Sequence, residues 1–149
     1  MLLVSSCAPA ETPRPTDVHH LPLRTLGGDR TDLATLAGDR AVVVALFGSW
    51  CEGCRRETPA LARLAASGRA SRDFVVVGVA IGEERDRVEA FAGTHSVRYP
   101  LLLDAEGAFA RLGRRQVPTT FVLARDGRVV HEGAALDEEA LAALARTLR

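Results

Sequence analysis

Residues 41–59 read AVVVALFGSWCEGCRRETP, and this stretch decides the fold. Its first seven residues are apolar without alternation, which is typical of a strand covered on both faces in a central sheet. Cys51 and Cys54 follow three positions apart, and the residues after Cys51 predict a helix over 52–67, in which Pro59 would introduce a kink. The sequence therefore places two thiols at a strand-to-helix junction, where they can form and break a disulfide reversibly.

The predicted start of the helix gives the first of the two cysteines its reactivity. Unpaired backbone N–H groups at a helix N-terminus favour negative charge, so Cys51 should lose its proton more readily than a free thiol and attack disulfides. Cys54, expected to be the more buried thiol, would then resolve the mixed disulfide. Arg55 would stabilise a thiolate at Cys51, whereas Glu52 and Glu57 would oppose it. Because a very stable thiolate makes a strong oxidant, the two acids favour a reductant.

Size and composition limit the possible classes of protein. The 149 residues suffice for one domain with a buried core, and 47% hydrophobic and 26% charged residues are ordinary for a globular chain. Nineteen basic residues balance nineteen acidic ones, which leaves no excess of positive charge to attract nucleic acid. The three cysteines are too few for a framework of structural disulfides, so the Cys51/Cys54 pair indicates chemistry.

The N-terminal residues suggest a lipid anchor. Cys7 follows Val-Ser-Ser, which resembles a bacterial lipobox, in which the cysteine is lipidated. Residues 8–16 hold three prolines among small and polar residues and predict an extended tether. The apolar stretch before Cys7 is too short for a secretion signal, so either the natural start lies upstream or Cys7 is incidental in a disordered end. We expect a lipoprotein-like leader and flexible tether over 1–18 and a single folded domain over 19–149.

Outside this junction, the sequence predicts strands alternating with helices. The predicted strands are 21–26 and 31–33, which form a hairpin, then 73–81 and 99–103, and a second hairpin of 119–124 and 128–132. The predicted helices are a turn at 33–36, then 84–94, 108–112 and a C-terminal helix capped by Asp137. This pattern indicates an α/β domain, with a mixed central β-sheet flanked by helices, an N-terminal β-hairpin and a central helix-strand insert.

Two motifs carry a resemblance to a known family. Residues 50–59, WCEGCRRETP, and residues 117–121, VPTTF, resemble thioredoxin-fold proteins, in particular the membrane-tethered, extracytoplasmic TlpA/ResA-like thiol-disulfide oxidoreductases. The resemblance runs from about Leu21 to the C-terminus, and an insert such as residues 84–103 is typical of that subgroup. It implies a thioredoxin fold, a protein-disulfide reductase without a cofactor, and a redox-active disulfide between the two cysteines of the first motif.

The same resemblance implies roles for residues around the dithiol. The Val117–Pro118 peptide bond would be cis and face the dithiol, leaving the Val117 backbone free to pair with an extended substrate as an added strand. An ordinary trans turn proline is the alternative, since few such bonds are cis. Trp50 would form the rim of the site and contact substrate, or else be a partly buried core aromatic.

This chain departs from the thioredoxin pattern at two positions. Thioredoxins carry a buried acid six positions before the first cysteine, where this chain has Ala45. In the resembling subgroup a glutamate three residues after the second cysteine lies close to the thiols, which implies that Glu57 takes over as the proton acceptor. Its spacing of one helical turn from Cys54 is consistent with that role. The alternative is that Glu57 is a solvated helix residue. Gly53 stands where many relatives have proline, which would loosen the start of the helix and shift the redox balance. Arg55 and Arg56 are predicted to be solvated.

Several functions compete. The favoured one is a reductant of disulfides in extracytoplasmic partner proteins, which by resemblance include apocytochromes c during haem attachment. It would be a lipoprotein on the outer side of the cytoplasmic membrane. An upstream thiol reductant, such as a membrane electron-transfer protein, would reduce its disulfide again after each turnover. An oxidase that donates its disulfide would use the same residues, and a non-enzymatic module would bind copper through the thiols. A peroxidase is disfavoured, because related peroxidases place a threonine where this chain has Gly48.

The histidines do not indicate a metal site. His19, His20, His95 and His131 lack the paired spacing of zinc ligands, and the chain has no second cysteine pair. His19 and His20 are expected to be exposed residues of the leader.

Overall fold

The computed structural model describes residues 18–134 and 137–148, so Cys7 and the rest of the predicted leader over 1–17 lie outside the described residues. The strands are β1 Leu23–Thr25, β2 Arg30–Thr31, β3 Ala41–Phe47, β4 Phe74–Ala80, β5 Leu101–Leu103, β6 Thr119–Leu123 and β7 Val129–Ala134. The helices are α1 Leu33–Ala37, α2 Glu52–Ser71, α3 Arg85–Thr94, α4 Ala108–Arg111 and α5 Glu138–Thr147, and a 3-10 turn at Val18–His20 precedes them. Each predicted strand and helix is present, with bounds that differ by a few residues.

The strand β3 lies inside a single mixed sheet. Over the described residues, the strands follow the order β2-β1-β5-β4-β3-β6-β7. β3 runs parallel to β4, with Val43 beside Val76, and antiparallel to β6, with Val43 beside Val122. Every residue of β3 is buried because helices cover both faces of the sheet. The predicted architecture, a mixed sheet flanked by helices with an N-terminal hairpin, is confirmed.

Alternate residues of β3 belong to two hydrophobic cores, one on each face of the sheet. The first core contains both cysteines together with side chains from α2, α3 and α5, namely Leu61, Leu64, Phe91 and Leu141. The second core contains Leu33 of α1 and Phe109 of α4. The dithiol therefore lies on the α2 side of the sheet, just beyond the C-terminal end of β3.

The helix α2 is longer than predicted because its cap lies beyond Gly68. The helix continues to Ser71 and ends at Arg72, whose left-handed backbone (φ 63°) lets its N–H donate to the Gly68 carbonyl at 2.8 Å. A Cβ on Gly68 would lie 2.5 Å from the Phe74 carbonyl oxygen, so this close approach of helix and strand requires glycine. Pro59 lies inside the helix and does not end it.

The N-terminal turn differs from the prediction of an exposed leader. Val18 is fully buried in the second core, and His19 is 7% exposed. The turn packs on α1, which explains this burial. His20 is exposed, as predicted, and its Nδ1 hydrogen-bonds with the Asp32 carboxylate at 3.3 Å. The prediction for His19 is therefore wrong, and packed structure begins at least as early as Val18.

Candidate active site

The two cysteines form a disulfide at the start of α2. Their Cα atoms are 5.2 Å apart, and Cys51 is the N-cap residue of the helix. The Cys54 N–H donates to the Cys51 sulfur at 3.2 Å, so a backbone amide of the first helical turn points at the predicted nucleophile. Cys51 is 6% exposed and Cys54 is 3% exposed. Cys51 is therefore the more exposed residue of the pair, by a small margin.

The loop between β3 and α2 holds Trp50 at the surface. Its side chain is 65% exposed, which excludes a core aromatic and leaves the rim of the site. The indole folds back over Gly48, where a Cβ would lie only 2.7 Å from the indole Nε1. The Gly48 carbonyl accepts the Cys51 N–H at 3.1 Å. Because Gly48 has no side chain, the loop can turn sharply toward the dithiol while the indole of Trp50 lies over Gly48.

Glu83 holds the same loop, and the sequence analysis did not single it out. Its carboxylate accepts the Ser49 N–H at 3.0 Å and the Ser49 hydroxyl at 2.9 Å. Arg55 donates from Nε and Nη2 to the Ser49 carbonyl at 3.2 and 3.0 Å. The Arg55 side chain is exposed, but its guanidinium is part of the loop structure rather than merely solvated. Two charged side chains therefore fix the residue that lies two positions before Cys51.

The loop before β6 brings Pro118 to the dithiol turn. The Val117–Pro118 peptide bond is cis. A Cβ on Gly53 would lie 3.4 Å from Pro118 Cγ, so the glycine between the cysteines faces the proline ring at van der Waals distance. Val117 is half-buried and packs against both cores. A groove of about 370 Å³ continues from Pro118 between this loop and β7, lined in part by Arg114, Gln116 and Gly133.

Glu57 is buried one helical turn after Cys54. It is 7% exposed, so it is not the solvated helix residue that the sequence left open. The Thr120 hydroxyl donates to Glu57 Oε1 at 3.3 Å. Glu52, by contrast, is exposed and lies 3.8 Å from the Arg56 guanidinium. Of the two acids expected to oppose a thiolate, Glu57 is the buried one.

Tyr99 and Thr58 extend the polar group around Glu57, and neither was predicted. Burial raises the pKa of the Tyr99 hydroxyl to about 12, a hydrogen bond with Thr58 opposes this shift, and the charge of Glu57 adds to it. The Thr58 hydroxyl also donates to the Cys54 carbonyl at 3.1 Å. Tyr99 follows the insert helix α3, so it reaches this group only through the tertiary fold. No local pattern in the sequence marks it.

Two kinds of feature are absent from the described residues. Among residues 18–134 and 137–148, no group of three or more histidine, cysteine or acidic side chains is placed to hold a metal ion. In the same part of the chain, no helix has both the length and the apolar character needed to cross a membrane.

The fold and the dithiol together define the class of protein. A mixed sheet flanked by helices, with a Cys-x-x-Cys disulfide between β3 and α2, is a thioredoxin fold, and the protein is a thiol-disulfide oxidoreductase. The chain belongs to the Redoxin family, whose profile matches residues 5–146. The resemblance predicted from the two sequence motifs is confirmed.

Relatives of similar sequence agree with this class. The thioredoxin-like protein YneN of Bacillus subtilis is 30% identical over 120 residues, which cover 78% of this chain and 70% of YneN. The thiol-disulfide oxidoreductase ResA of B. subtilis is 29% identical over 116 residues, which cover 77% of this chain and 64% of ResA, less than two thirds of its length.

Similar folds are found among solved structures. A putative protein disulfide isomerase from Bacteroides thetaiotaomicron aligns with a TM-score of 0.73 and 27% identity, covering 85% of this chain and 82% of that one. A secreted disulfide oxidoreductase of Mycobacterium tuberculosis, homologous to E. coli DsbE, aligns with a TM-score of 0.71 and 23% identity, covering 91% and 99%. At 23% identity, the similarity to the second structure supports only the fold.

Proposed function

We propose that this protein reduces disulfides of extracytoplasmic partner proteins, with Cys51 as the attacking and Cys54 as the resolving cysteine. The observation that carries the proposal is the Cys54 N–H directed at the Cys51 sulfur at the start of α2. A sulfur that accepts a backbone N–H at a helix N-terminus carries negative charge more readily, as an attacking thiolate must. The similarity to a relative named thiol-disulfide oxidoreductase supports the same activity.

The reaction consists of two thiol-disulfide exchanges. The Cys51 thiolate attacks one sulfur of the substrate disulfide, a mixed disulfide forms, and the other substrate sulfur leaves as a thiolate that takes up a proton. The Cys54 thiolate then attacks the Cys51 sulfur, which closes the Cys51–Cys54 disulfide and releases the second substrate thiol. Two electrons pass from the protein to its substrate. An upstream dithiol donor, such as a membrane electron-transfer protein, restores the reduced pair.

Glu57 is proposed to accept the proton that Cys54 loses. The carboxylate is buried one helical turn after Cys54, and Thr120 fixes one of its oxygens. An oriented carboxylate in the interior can take a proton without water entering the core. The resolving step then depends on Glu57, whereas the first attack at Cys51 does not.

The placement of acids near the dithiol supports the reducing direction. Glu57 is buried one helical turn after Cys54, and Glu83 is bound to Ser49 two positions before Cys51. Negative charge near a thiolate raises the free energy of the reduced form, which makes the pair a stronger reductant. Glu52 contributes less than the sequence predicted, because solvent screens an exposed carboxylate paired with Arg56.

Val117, Pro118 and Trp50 are proposed to bind the substrate. The Pro118 ring faces the dithiol turn at Gly53, and Trp50 is exposed on the loop before Cys51. An extended segment paired with the Val117 backbone would bring a substrate disulfide to the Cys51 sulfur, with Trp50 against its other side.

We place the protein on the outer side of the cytoplasmic membrane, anchored through a lipid on Cys7. The Val-Ser-Ser-Cys sequence and the proline-rich segment after it support this placement. Apocytochromes c are proposed as substrates on the family resemblance alone. Cell fractionation of the protein expressed from its natural gene tests the anchor, because Cys7→Ser should move the protein out of the membrane fraction. An unchanged distribution would contradict lipidation at Cys7.

The equilibrium reduction potential of the Cys51/Cys54 couple tests the direction of the reaction. A value near or below about −250 mV marks a reductant, whereas a value near about −120 mV marks a disulfide-donating oxidase. Cys54→Ser should accumulate mixed disulfides with partner proteins, and Cys51→Ser should trap them poorly. Copper bound by the wild type without any exchange activity would instead indicate the non-enzymatic module.

A further inference from the structure

A groove of about 420 Å³ lies beside the dithiol loop, between the start of α2 and the insert helix α3. We call it the α2–α3 groove, and its lining includes Ser49, Arg55, Arg87, Phe91, Thr94 and His95. Ser49 lies two positions before Cys51, and Arg55 directly follows Cys54. One wall of the groove is therefore formed by close chain neighbours of both cysteines.

The lining is basic. In the described residues it contains two arginines and one histidine and no carboxylate. Glu83 lies close by, but its carboxylate is bound to the Ser49 N–H and hydroxyl and is not part of the lining. The groove therefore presents two guanidinium groups to a ligand, and Thr94 adds a hydroxyl to the lining.

The two arginines differ in how they are held. Arg55 donates to the Ser49 carbonyl through Nε and Nη2, which fixes the plane of its guanidinium beside the groove. Arg87 is exposed, and the described residues supply no ion pair or side-chain hydrogen bond to it. Its helix neighbour Arg85 is paired with Glu89 at 3.1 Å. Arg87 is thus available for a ligand, and Arg55 loses little freedom on binding one.

The other lining residues suit a side chain rather than a bare ion. The rings of Phe91 and His95 lie 4.7 Å apart, and Phe91 belongs to the first hydrophobic core. An acidic side chain can lay its methylene groups against the half-buried His95 while its carboxylate meets the arginines. Guanidinium groups bind carboxylates through paired N–H···O hydrogen bonds.

We propose that the α2–α3 groove binds an acidic side chain of the substrate protein, carried close in sequence to the cysteine that Cys51 attacks. This inference rests on the proposed function, because it assigns a selection site to the same reaction. A protein substrate fits better than a small anion, since the cations are exposed and a free anion would stay hydrated. An acidic side chain on a polypeptide already engaged at Cys51 is instead held there at high effective concentration.

Two disulfide-bridged peptides that differ only in aspartate or asparagine beside a cysteine test the proposal. At low ionic strength the reduced wild type should react about threefold to fivefold faster with the aspartate peptide, and high salt should abolish the difference. Arg87→Gln should remove the preference for aspartate. Arg85→Gln is the matched control, because it removes a cation from the same helix outside the groove, and it should keep the preference.

Hydroxyethyl disulfide, which is neutral, separates this inference from the proposed function. If the wild type reduces it but reacts equally with both peptides, the groove assignment is overturned and the reductase remains. If the wild type reduces none of the disulfides, both proposals fall. Oxidised glutathione distinguishes the source of the carboxylate. The wild type could reduce oxidised glutathione faster than hydroxyethyl disulfide, lose this preference in Arg87→Gln, and show no preference for the aspartate peptide. That result would overturn the assignment to a protein substrate.

Discussion

The Thr120 hydroxyl donates a hydrogen bond to the Glu57 carboxylate at 3.3 Å, so a side chain of β6 orients an acid carried by α2. Thr120 lies directly opposite Ala45 in the β3–β6 ladder. Opposed residues of a ladder point to the same face, so the carboxylate lies over the part of the sheet where Ala45 has only a methyl group. The helix thus supplies the buried acid that β3 lacks.

We expect Glu57→Gln to slow the resolving step about tenfold or more, because glutamine keeps the size of the side chain but cannot accept the Cys54 proton. The mixed disulfide at Cys51 should then accumulate during single turnovers with a peptide disulfide, and the pH profile of resolution should change. Glu52→Gln is the control, since Glu52 is exposed. If the mixed disulfide is resolved at the same rate in Glu57→Gln and in wild type, Glu57 is not the proton acceptor.

Glu83→Gln should destabilise the oxidised protein by about 1 kcal/mol, since a hydrogen bond to an ionised group is worth more than a neutral one, and this carboxylate is only half-buried. Urea unfolding measures the change. Ser49→Ala should show a similar loss, and the double variant should lose less than the sum, because the two residues share the same bonds. Glu84→Gln, one residue along and exposed, should stay close to wild type.

Gly48→Ala should change the emission of Trp50, the single tryptophan of the chain, without a large loss of stability. A Cβ at residue 48 would lie 2.7 Å from the indole Nε1, so the indole must move, and it is exposed enough to do so. Gly93→Ala provides the comparison, because nothing lies within 4 Å of its Cβ position inside α3. That variant should leave the emission unchanged and stabilise the helix by up to about 1 kcal/mol. Identical emission spectra for Gly48→Ala and wild type would contradict the stacking of the indole on Gly48.

The contribution of Asp104 to the free energy of unfolding should decrease as the pH rises from the acid range. Burial raises the pKa of its carboxyl, although the N–H groups of Ala108 and Phe109 donate to it at 2.8 and 3.1 Å and oppose the shift. The folded protein therefore holds this proton more tightly than the unfolded chain does. The contribution to the free energy of unfolding is full below about pH 3.9 and is lost as the pH rises through the folded pKa.

Urea unfolding of wild type and Asp104→Asn between about pH 3 and pH 7 checks this sign. The stability of the wild type relative to the variant should fall with increasing pH, because asparagine does not titrate. A relative stability that instead rises with pH would mean that the backbone donors outweigh burial and lower the pKa of Asp104.

The helices and strands were predicted well where a single physical effect, such as burial or turn geometry, determines the local structure. The strand β3 was predicted with its observed bounds, because a run of apolar residues buried on both faces has no other stable location. The turn between β6 and β7 was predicted from Asp126-Gly127, and Gly127 adopts a positive φ of 85°. The end of α2 was wrong by several residues, since Gly68 serves the approach to Phe74 instead of stopping the helix.

The chemistry of the cysteines was predictable from the sequence, but the residues that support them were only partly so. Glu57 was predicted from the family resemblance, and its spacing of one helical turn from Cys54 was consistent with that role. Its partner Thr120 is 63 positions away, and Glu83 is 34 positions from Ser49, so no local periodicity links either pair. A partial signal existed for Glu83, which follows β4 at the same edge of the sheet where β3 ends. Tyr99 had no such signal.

Pro59 divides α2 into two mechanically distinct parts. Because proline has no N–H, it cannot donate to the carbonyl four residues earlier, that of Arg55, in the turn that follows Cys54. The turn that carries the cysteines is therefore joined to the remainder of the helix by one backbone hydrogen bond fewer. When the disulfide opens and the sulfurs separate, this turn can adjust its pitch while residues 60–71 keep their packing against the sheet. The redox centre is thus less tightly joined to the rest of α2 than it would be in a helix without the proline.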